Sequence, residues 1–230
     1  MAEEHKKEFH RNFRRERFPR EERKEPAKRE KKVFPGIKLF GKWDDAFEIS
    51  DMSLRNYLNI DPKFLPKSAG RLRKPFHKSK AHIVERLAQH MLVCGHRGKK
   101  HRITSGKFAG NLYNTLTAVE KAFDIIEKKE KKNPIEVFVR ALENAALREE
   151  IISYQLGSIV ARESVITAPQ RRIDKALRYF AQGAFRKSFK NKKKLEQALA
   201  DEILGAYKNS NESFAIGEKE RIEREAIGAR

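Results

Sequence analysis

TAPQRRIDKALRYFAQGAFRKSFKNKKK, Thr167 to Lys194, is the stretch whose reading decides the fold. Ile173, Leu177, Phe180 and Ala184 recur at spacings of four, three and four, so they share one face of an α-helix. Thr167 and Gln170 fit a T-x-x-Q capping box, in which the hydroxyl accepts a backbone N–H and the amide reaches back. Pro169 falls in the first turn, where its missing N–H leaves nothing unsatisfied. Arg171, Arg172, Lys175, Arg178, Arg186 and Lys187 lie mostly off the apolar stripe, and the helix is expected to run out through Lys190, Lys192, Lys193 and Lys194. It reads as a central strut with a basic face. Charged residues on an amphipathic helix normally just face water, so that face carries no message alone.

The charge of the whole chain gives it one. Of 230 residues, 52 are Lys or Arg and 32 are Asp or Glu, a formal charge of +20. Small soluble domains usually carry a net charge of about 2 to 8, so this chain repels itself unless a polyanion neutralises it. Nucleic acid is the default partner. No run approaches the roughly eighteen apolar residues that span a bilayer, which argues against an integral membrane protein or a membrane partner. The N-terminus has no apolar h-region, so secretion is not expected. With Cys94 the lone cysteine, no internal disulfide can form, in keeping with a reducing cytoplasm.

Residues 1–32 hold 13 Lys or Arg against 8 Asp or Glu, with Pro19 and Pro26 as breakers. This basic N-terminal extension is expected to be disordered alone and to order against RNA. Val33 to Trp43, VFPGIKLFGKW, looks extended, with Pro35 and Gly36 as a turn. Asp44 and Asp45 would be metal ligands only if further acids converged on them, so a loop or cap role is preferred. Ser53 to Leu58 can make a short helix, stopped by Pro62 and Pro66.

The most one-sided block is Arg71 to Lys107. Arg71, Arg73, Lys74, Lys78, Lys80, Arg86, Arg97, Lys99, Lys100, Arg102 and Lys107 stand against the single acid Glu85. Such a block attracts phosphate, because each neutralised phosphate releases condensed counterions. Inside it, Ile83, Val84, Leu87 and Met91 define a helix from about Ser79 to Cys94, stopped at Gly95. The loop GHRGKKHRITSGKFAG, residues 95–110, then offers Gly98 for close backbone approach and Lys99, Lys100, His101 and Arg102 as phosphate donors. It is not a Walker A loop, since Gly98-Lys99 is followed by Lys100 and Gly106-Lys107 by Phe108. His90, Cys94, His96 and His101 include zinc-ligand types, but one cysteine departs from the usual two-plus-two arrangement. No metal or cofactor is expected; His96 and His101 read as phosphate or stacking contacts, and Cys94 as a small buried hydrophobe.

Three further helices frame the strut. Asn111 can cap one whose stripe is Leu112, Leu116, Val119, Phe123 and Ile126, ending in EKKEKK. Asn133-Pro134 opens a second, striped by Ile135, Phe138, Val139 and Leu142. Leu195, Leu199 and Ile203, with Ala198, Leu204 and Tyr207, make a third. KNSNES then forms a loop, and Glu218 to Arg230 a charged final helix with Ile222 and Ile227 facing inward. Between Arg148 and Thr167 the period changes to two: Ile152, Tyr154 and Leu156 alternate, Gly157-Ser158 makes a two-residue turn, and β-branched residues follow. The length of this hairpin suggests an arm reaching beyond the helices. The fold class is therefore mainly α, a helical bundle of about six helices over residues 33–230 with one inserted β-hairpin arm at about 150–167.

At this point a family resemblance emerges. KLFGKW at Lys38–Trp43, IVERL at Ile83–Leu87, GKKHRI at Gly98–Ile103 and NPIEV at Asn133–Val137 come in order and at the right spacing. ENAALREE at Glu143–Glu150, APQRR at Ala168–Arg172 and ADEILGAYKNSNESFAI at Ala200–Ile216 continue the series. Over about four fifths of its length the chain resembles the seventh protein of the small ribosomal subunit, in its archaeal and eukaryotic form. The resemblance implies a helical protein with a hairpin arm, bound to small-subunit ribosomal RNA in the head and starting head assembly. Its implied partners are that RNA, neighbouring head and platform proteins, messenger RNA and exit-site transfer RNA, in the cytoplasm, with no small-molecule substrate.

Residue by residue, Gly98, Lys99 and Lys100 match the family's G-K-K element and Arg171 and Arg172 its basic pair after the hairpin, all expected on RNA backbone. The rest of the expected RNA face is Arg71, Arg73, Lys74, Lys78, Lys80, Arg97, His101, Arg102, Lys107, Lys175, Arg178, Arg186, Lys192 and Lys193. Tyr154, Gln155, Gly157, Ser158 and Arg162 form the hairpin tip that would face messenger and transfer RNA. The family's hairpin is often rich in arginine and glycine; this one keeps Arg162 and Gly157. Changing Arg171 and Arg172 together to Ala is expected to weaken RNA binding with the helical fold intact. Two other classes compete: an RNA-processing nuclease and a non-specific polyanion-binding protein. A nuclease needs two groups of opposed protonation around one phosphate, and His77, His82, His90, His96 and His101 have only Glu85 nearby.

Overall fold

The computed structural model describes residues 36–44, 47–68, 75–94 and 111–230, with Leu156 by its backbone alone. The N-terminal extension, Arg71 to Lys74 and the loop 95–110 lie outside the described residues. Among the described residues there are seven α-helices: α1 (Met52–Arg55), α2 (Ile83–Met91), α3 (Leu112–Glu130), α4 (Pro134–Ala145), α5 (Pro169–Ser188), α6 (Leu195–Tyr207) and α7 (Phe214–Ile227). A short 3-10 turn, His77–Lys80, precedes α2, and strands β1 (Glu149–Leu156) and β2 (Ile159–Ile166) pair antiparallel. Six helices longer than two turns and one hairpin are the mainly α architecture read from the sequence.

The strut is α5, the longest helix at 20 residues, or about 30 Å at 1.5 Å per residue. Ile173, Leu177, Phe180 and Ala184 are all fully buried, as their spacing requires. α2, α6 and α7 pack against it, and α4 and α6 pack on each other. An aromatic line crosses the core, Trp43 to Phe123 to Phe138 to Phe180, with ring centroids 5.8, 5.8 and 6.2 Å apart. Trp43 is fixed by an indole N–H donated to Glu127 Oε2 at 3.0 Å, so the KLFGKW stretch serves as a core plug against α3.

Caps set the helix boundaries. Asn111 Oδ1 accepts from Asn114 N at 2.9 Å, and Asn133 Oδ1 from Ile135 N at 3.0 Å with Pro134 as first residue. The start of α5 differs from its reading. Ala168 is the N-cap and no side chain caps the helix; Gln170 instead accepts through Oε1 from the Ser79 hydroxyl, tying α5 to the 3-10 turn. A tertiary partner has displaced the local box. The helix also stops at Ser188, because Lys190 takes a left-handed φ of 57°, and the lysines beyond it form a turn before α6. α2 is shorter than Ser79 to Cys94, since the first of those residues belong to the 3-10 turn. Cys94 is half-buried against the core. The last helix begins at Phe214, and Ile227, expected inward, is 63% exposed, while Ile222 packs on the core and Ala226 takes the buried place at the C-terminal end of α7.

Among the described residues, the hairpin's hydrogen bonds and ion pairs to the rest of the chain lie at its root. Thr167 N donates to Arg148 O, Arg148 N to Glu223 Oε1, and Arg230 binds Glu149. Gly157 carries a φ of 60°, the positive value a two-residue turn of this kind asks of its first residue. Farther out, Ile152, Tyr154, Ile159 and Val160 are exposed, so the hairpin is an arm rather than a flat cover.

Candidate nucleic-acid interface

Three carboxylates, Asp174 on the strut and Glu150 and Asp201 beside it, are each held by two cations. At the hairpin root, Glu150 binds Arg171 and, at 3.3 Å, Lys175. Burial raises the Glu150 carboxyl, but the Arg171 and Lys175 donors prevail and hold it below its ordinary value. One helical turn on, Asp174 binds Lys78 and, at 3.0 Å, the buried Arg86, whose other arm donates to Tyr57 O. Burial again works against ionisation, and the same two cations override it. Near the far end, Asp201 on α6 binds Lys129 at 2.7 Å and also Lys193.

The cations left over define the strip. Lys80, Arg178, Lys192 and Lys194 are exposed, and among the described residues no carboxylate lies within 4 Å of any of them. Lys190 and Arg186 instead lie over aromatic rings, Lys190 Nζ 5.6 Å from the Phe189 centroid and Arg186 4.2 Å from that of Phe214. These groups follow α5 from the 3-10 turn to the turn before α6. Of these, Arg178 and Arg186 are on α5 itself, and Lys190, Lys192 and Lys194 follow its C-terminal end. The basic segments holding Arg71, Arg73 and Lys74, and Arg97 to Arg102 with Lys107, adjoin α2 in the sequence and lie outside the described residues.

Besides Lys78, Arg171, Lys175 and Lys193, the expected contact Arg172 is engaged within the chain, and so is Lys187, which was not among the expected contacts. Arg172 is 13% exposed in its side chain and donates to Leu147 O at 2.7 Å, to Asp51 Oδ2 at 3.1 Å and to the Ser53 hydroxyl. It joins α5, α1 and the end of α4. Burial raises the Asp51 carboxyl, while Ser53 and Arg172 lower it further. Lys187 sits 2.7 Å from Glu202 Oε2, and Glu202 is fully buried. The other oxygen of Glu202 accepts from the Ser213 hydroxyl at 2.7 Å and from Ala215 N at 3.0 Å, so a side chain of α6 caps α7. The tip residues Tyr154, Gln155, Gly157, Ser158 and Arg162 are all exposed, at the end of the arm and away from this strip's carboxylates.

Asp174, Glu202 and Phe189 were missed by the sequence reading. Each left a signal: an acid flanked by basic residues on the strut, an acid four residues after the apolar Ala198, and a phenylalanine off the stripe within a lysine run. Two of the described histidines are held in the neutral form. His82 is fully buried as N-cap of α2, and burial, aided by Lys63 and opposed by Asp61, takes its pKa to about 4. His90 falls to about 4 through burial and the charges of Arg178, Arg86 and Lys78, against Asp174. Among the described residues no group of three or more His, Cys, Asp or Glu is placed to hold a metal, and no helix is long and apolar enough to cross a membrane.

The family model described as ribosomal protein S7p/S5e matches residues 55–230. Small ribosomal subunit protein uS7 of Nanoarchaeum equitans is 45% identical over 196 residues, 84% of this chain and 99% of that protein. The proteins of the same name from Methanothrix thermoacetophila and Archaeoglobus fulgidus are 41% and 43% identical, each over 84% of this chain, covering 100% and 94% of their own lengths. With the helical bundle, the hairpin arm and the cationic strut already in view, the chain belongs to the S7p/S5e family of ribosomal proteins, in its archaeal form.

Proposed function

We propose that the chain is a structural, non-catalytic constituent of the small ribosomal subunit in the cytoplasm, held to small-subunit ribosomal RNA by the strip along α5. The observation that carries this reading is the set of exposed cations on and around α5, Lys80, Arg178, Lys192 and Lys194, with no carboxylate within 4 Å among the described residues, in a family member whose charge is +20. Phosphate contacts of this kind fix register and orientation on a folded RNA without reading sequence. Exposed Arg171 can leave Glu150 for phosphate, and Arg178 and Lys80 meet it directly.

The finer assignment is that the protein sits in the head, starts head assembly beside neighbouring head and platform proteins, and points its hairpin tip toward messenger and exit-site transfer RNA. Residues 1–32 act as a basic extension that orders on RNA, outside the domain formed by residues 33–230. Co-sedimentation tests the reading. The full-length protein should remain with small subunits through a high-salt cushion; recovery in the supernatant, with subunits intact, would refute it.

A further inference from the structure

We propose that Phe189, just past the C-terminal end of α5, is a stacking platform for one unpaired nucleotide of RNA, with the neighbouring lysines taking its phosphate; this rests on the RNA-binding reading above. Phe189 stays 50% exposed although it adjoins a helix with a well-filled apolar stripe. Its ring is not loose. Phe185 stacks on it at a centroid distance of 5.2 Å and an interplanar angle of 28°, which supports the ring from one side. The backbone is fixed too: Phe189 N donates to Phe185 O at 2.8 Å, and Asn191 donates through Nδ2 to Lys187 O at 3.1 Å. Between them Lys190 holds a left-handed φ of 57°, a conformation that non-glycine residues rarely adopt.

The surroundings decide the ligand. Lys190 already reaches the ring, and Lys192 and Lys194 are exposed with no carboxylate within 4 Å among the described residues. Lys187 and Lys193, by contrast, are neutralised by Glu202 and Asp201. A flat ring presented among surplus ammonium groups matches a base and its phosphate together, and because every base has a π-face, the platform accepts any nucleotide. The ligand class is single-stranded RNA, a bulge or loop.

The test is filter binding of the full-length protein to a small-subunit ribosomal RNA transcript at several salt concentrations. Phe189→Leu keeps apolar volume and removes the ring, so affinity should fall about tenfold at every salt with the log–log slope unchanged. Phe189→Trp should restore it. The triple variant Lys190→Ala, Lys192→Ala, Lys194→Ala should instead flatten the slope by about two. Wild-type affinity in Phe189→Leu to within about twofold, a Trp variant as weak as Leu, or an unchanged slope in the triple variant each overturns the proposal. A wild-type protein that fails to retain the transcript removes the RNA reading itself, a result distinct from any of these.

Discussion

Gly183 lies inside α5, where glycine ordinarily costs a helix about 1 kcal/mol relative to alanine. Here the sign reverses. A Cβ at Gly183 would stand 2.6 to 2.9 Å from the Glu202 carboxylate, which cannot move without uncapping α7. Gly183→Ala should therefore destabilise the protein by about 2 kcal/mol in chemical denaturation, by overpacking. A gain in stability would show that Glu202 is free to shift. Arg172 and Arg178, one face apart on the strut, should separate stability from binding. Arg172→Ala breaks three bonds and should cost about 2 kcal/mol of folding stability. Arg178→Ala should leave the melting temperature alone and reduce the salt slope of RNA binding by about one. The double change at Arg171 and Arg172, expected from the sequence alone to spare the helical fold, should therefore cost stability as well as binding. Nothing in RRIDK tells which arginine turns inward; that depends on Asp51, Ser53 and Leu147, far away in the chain.

At the scale of elements, most of the helices were legible because apolar spacing and caps agree, as in α3 with Asn111 and α4 with Asn133-Pro134. Where they failed, a long-range partner had won. Gln170 went to Ser79 instead of back to its own cap, and the lysines after Ser188 turn to meet α6. α2 should be the acid-sensitive element. His82 is charged below about pH 6.5 in the unfolded chain but only below about 4 in the folded one, so the unfolded state binds more protons between those values. Its contribution is whole above pH 6.5 and shrinks by about 3 kcal/mol as pH falls toward 4. Thermal melts from pH 7 to 4.5 should show that decline, and His82→Asn, a good N-cap that cannot take a proton, should blunt it. The hairpin arm should be separable. Replacing residues 152–163 by a short Asn-Gly turn between Ile151 and Ser164 should shift the melting temperature by no more than about 4 °C, because the replaced part lies beyond the root contacts.

Across the whole molecule, charge and apolar spacing were both visible in the sequence, while their spatial relation was not. The count of +20 names a polyanion as partner; only the folded arrangement shows Glu150, Asp174 and Asp201 each neutralised and the surplus drawn into a strip along α5. The central claim is that this strip is completed by folded small-subunit RNA. The most direct measurement is the affinity of the intact protein for a small-subunit ribosomal RNA transcript across salt, beside an unrelated structured RNA of equal length. The account predicts a log–log slope steeper than about five and tighter binding of the ribosomal transcript at every salt. A slope near zero, or equal affinity for both RNAs, would contradict it.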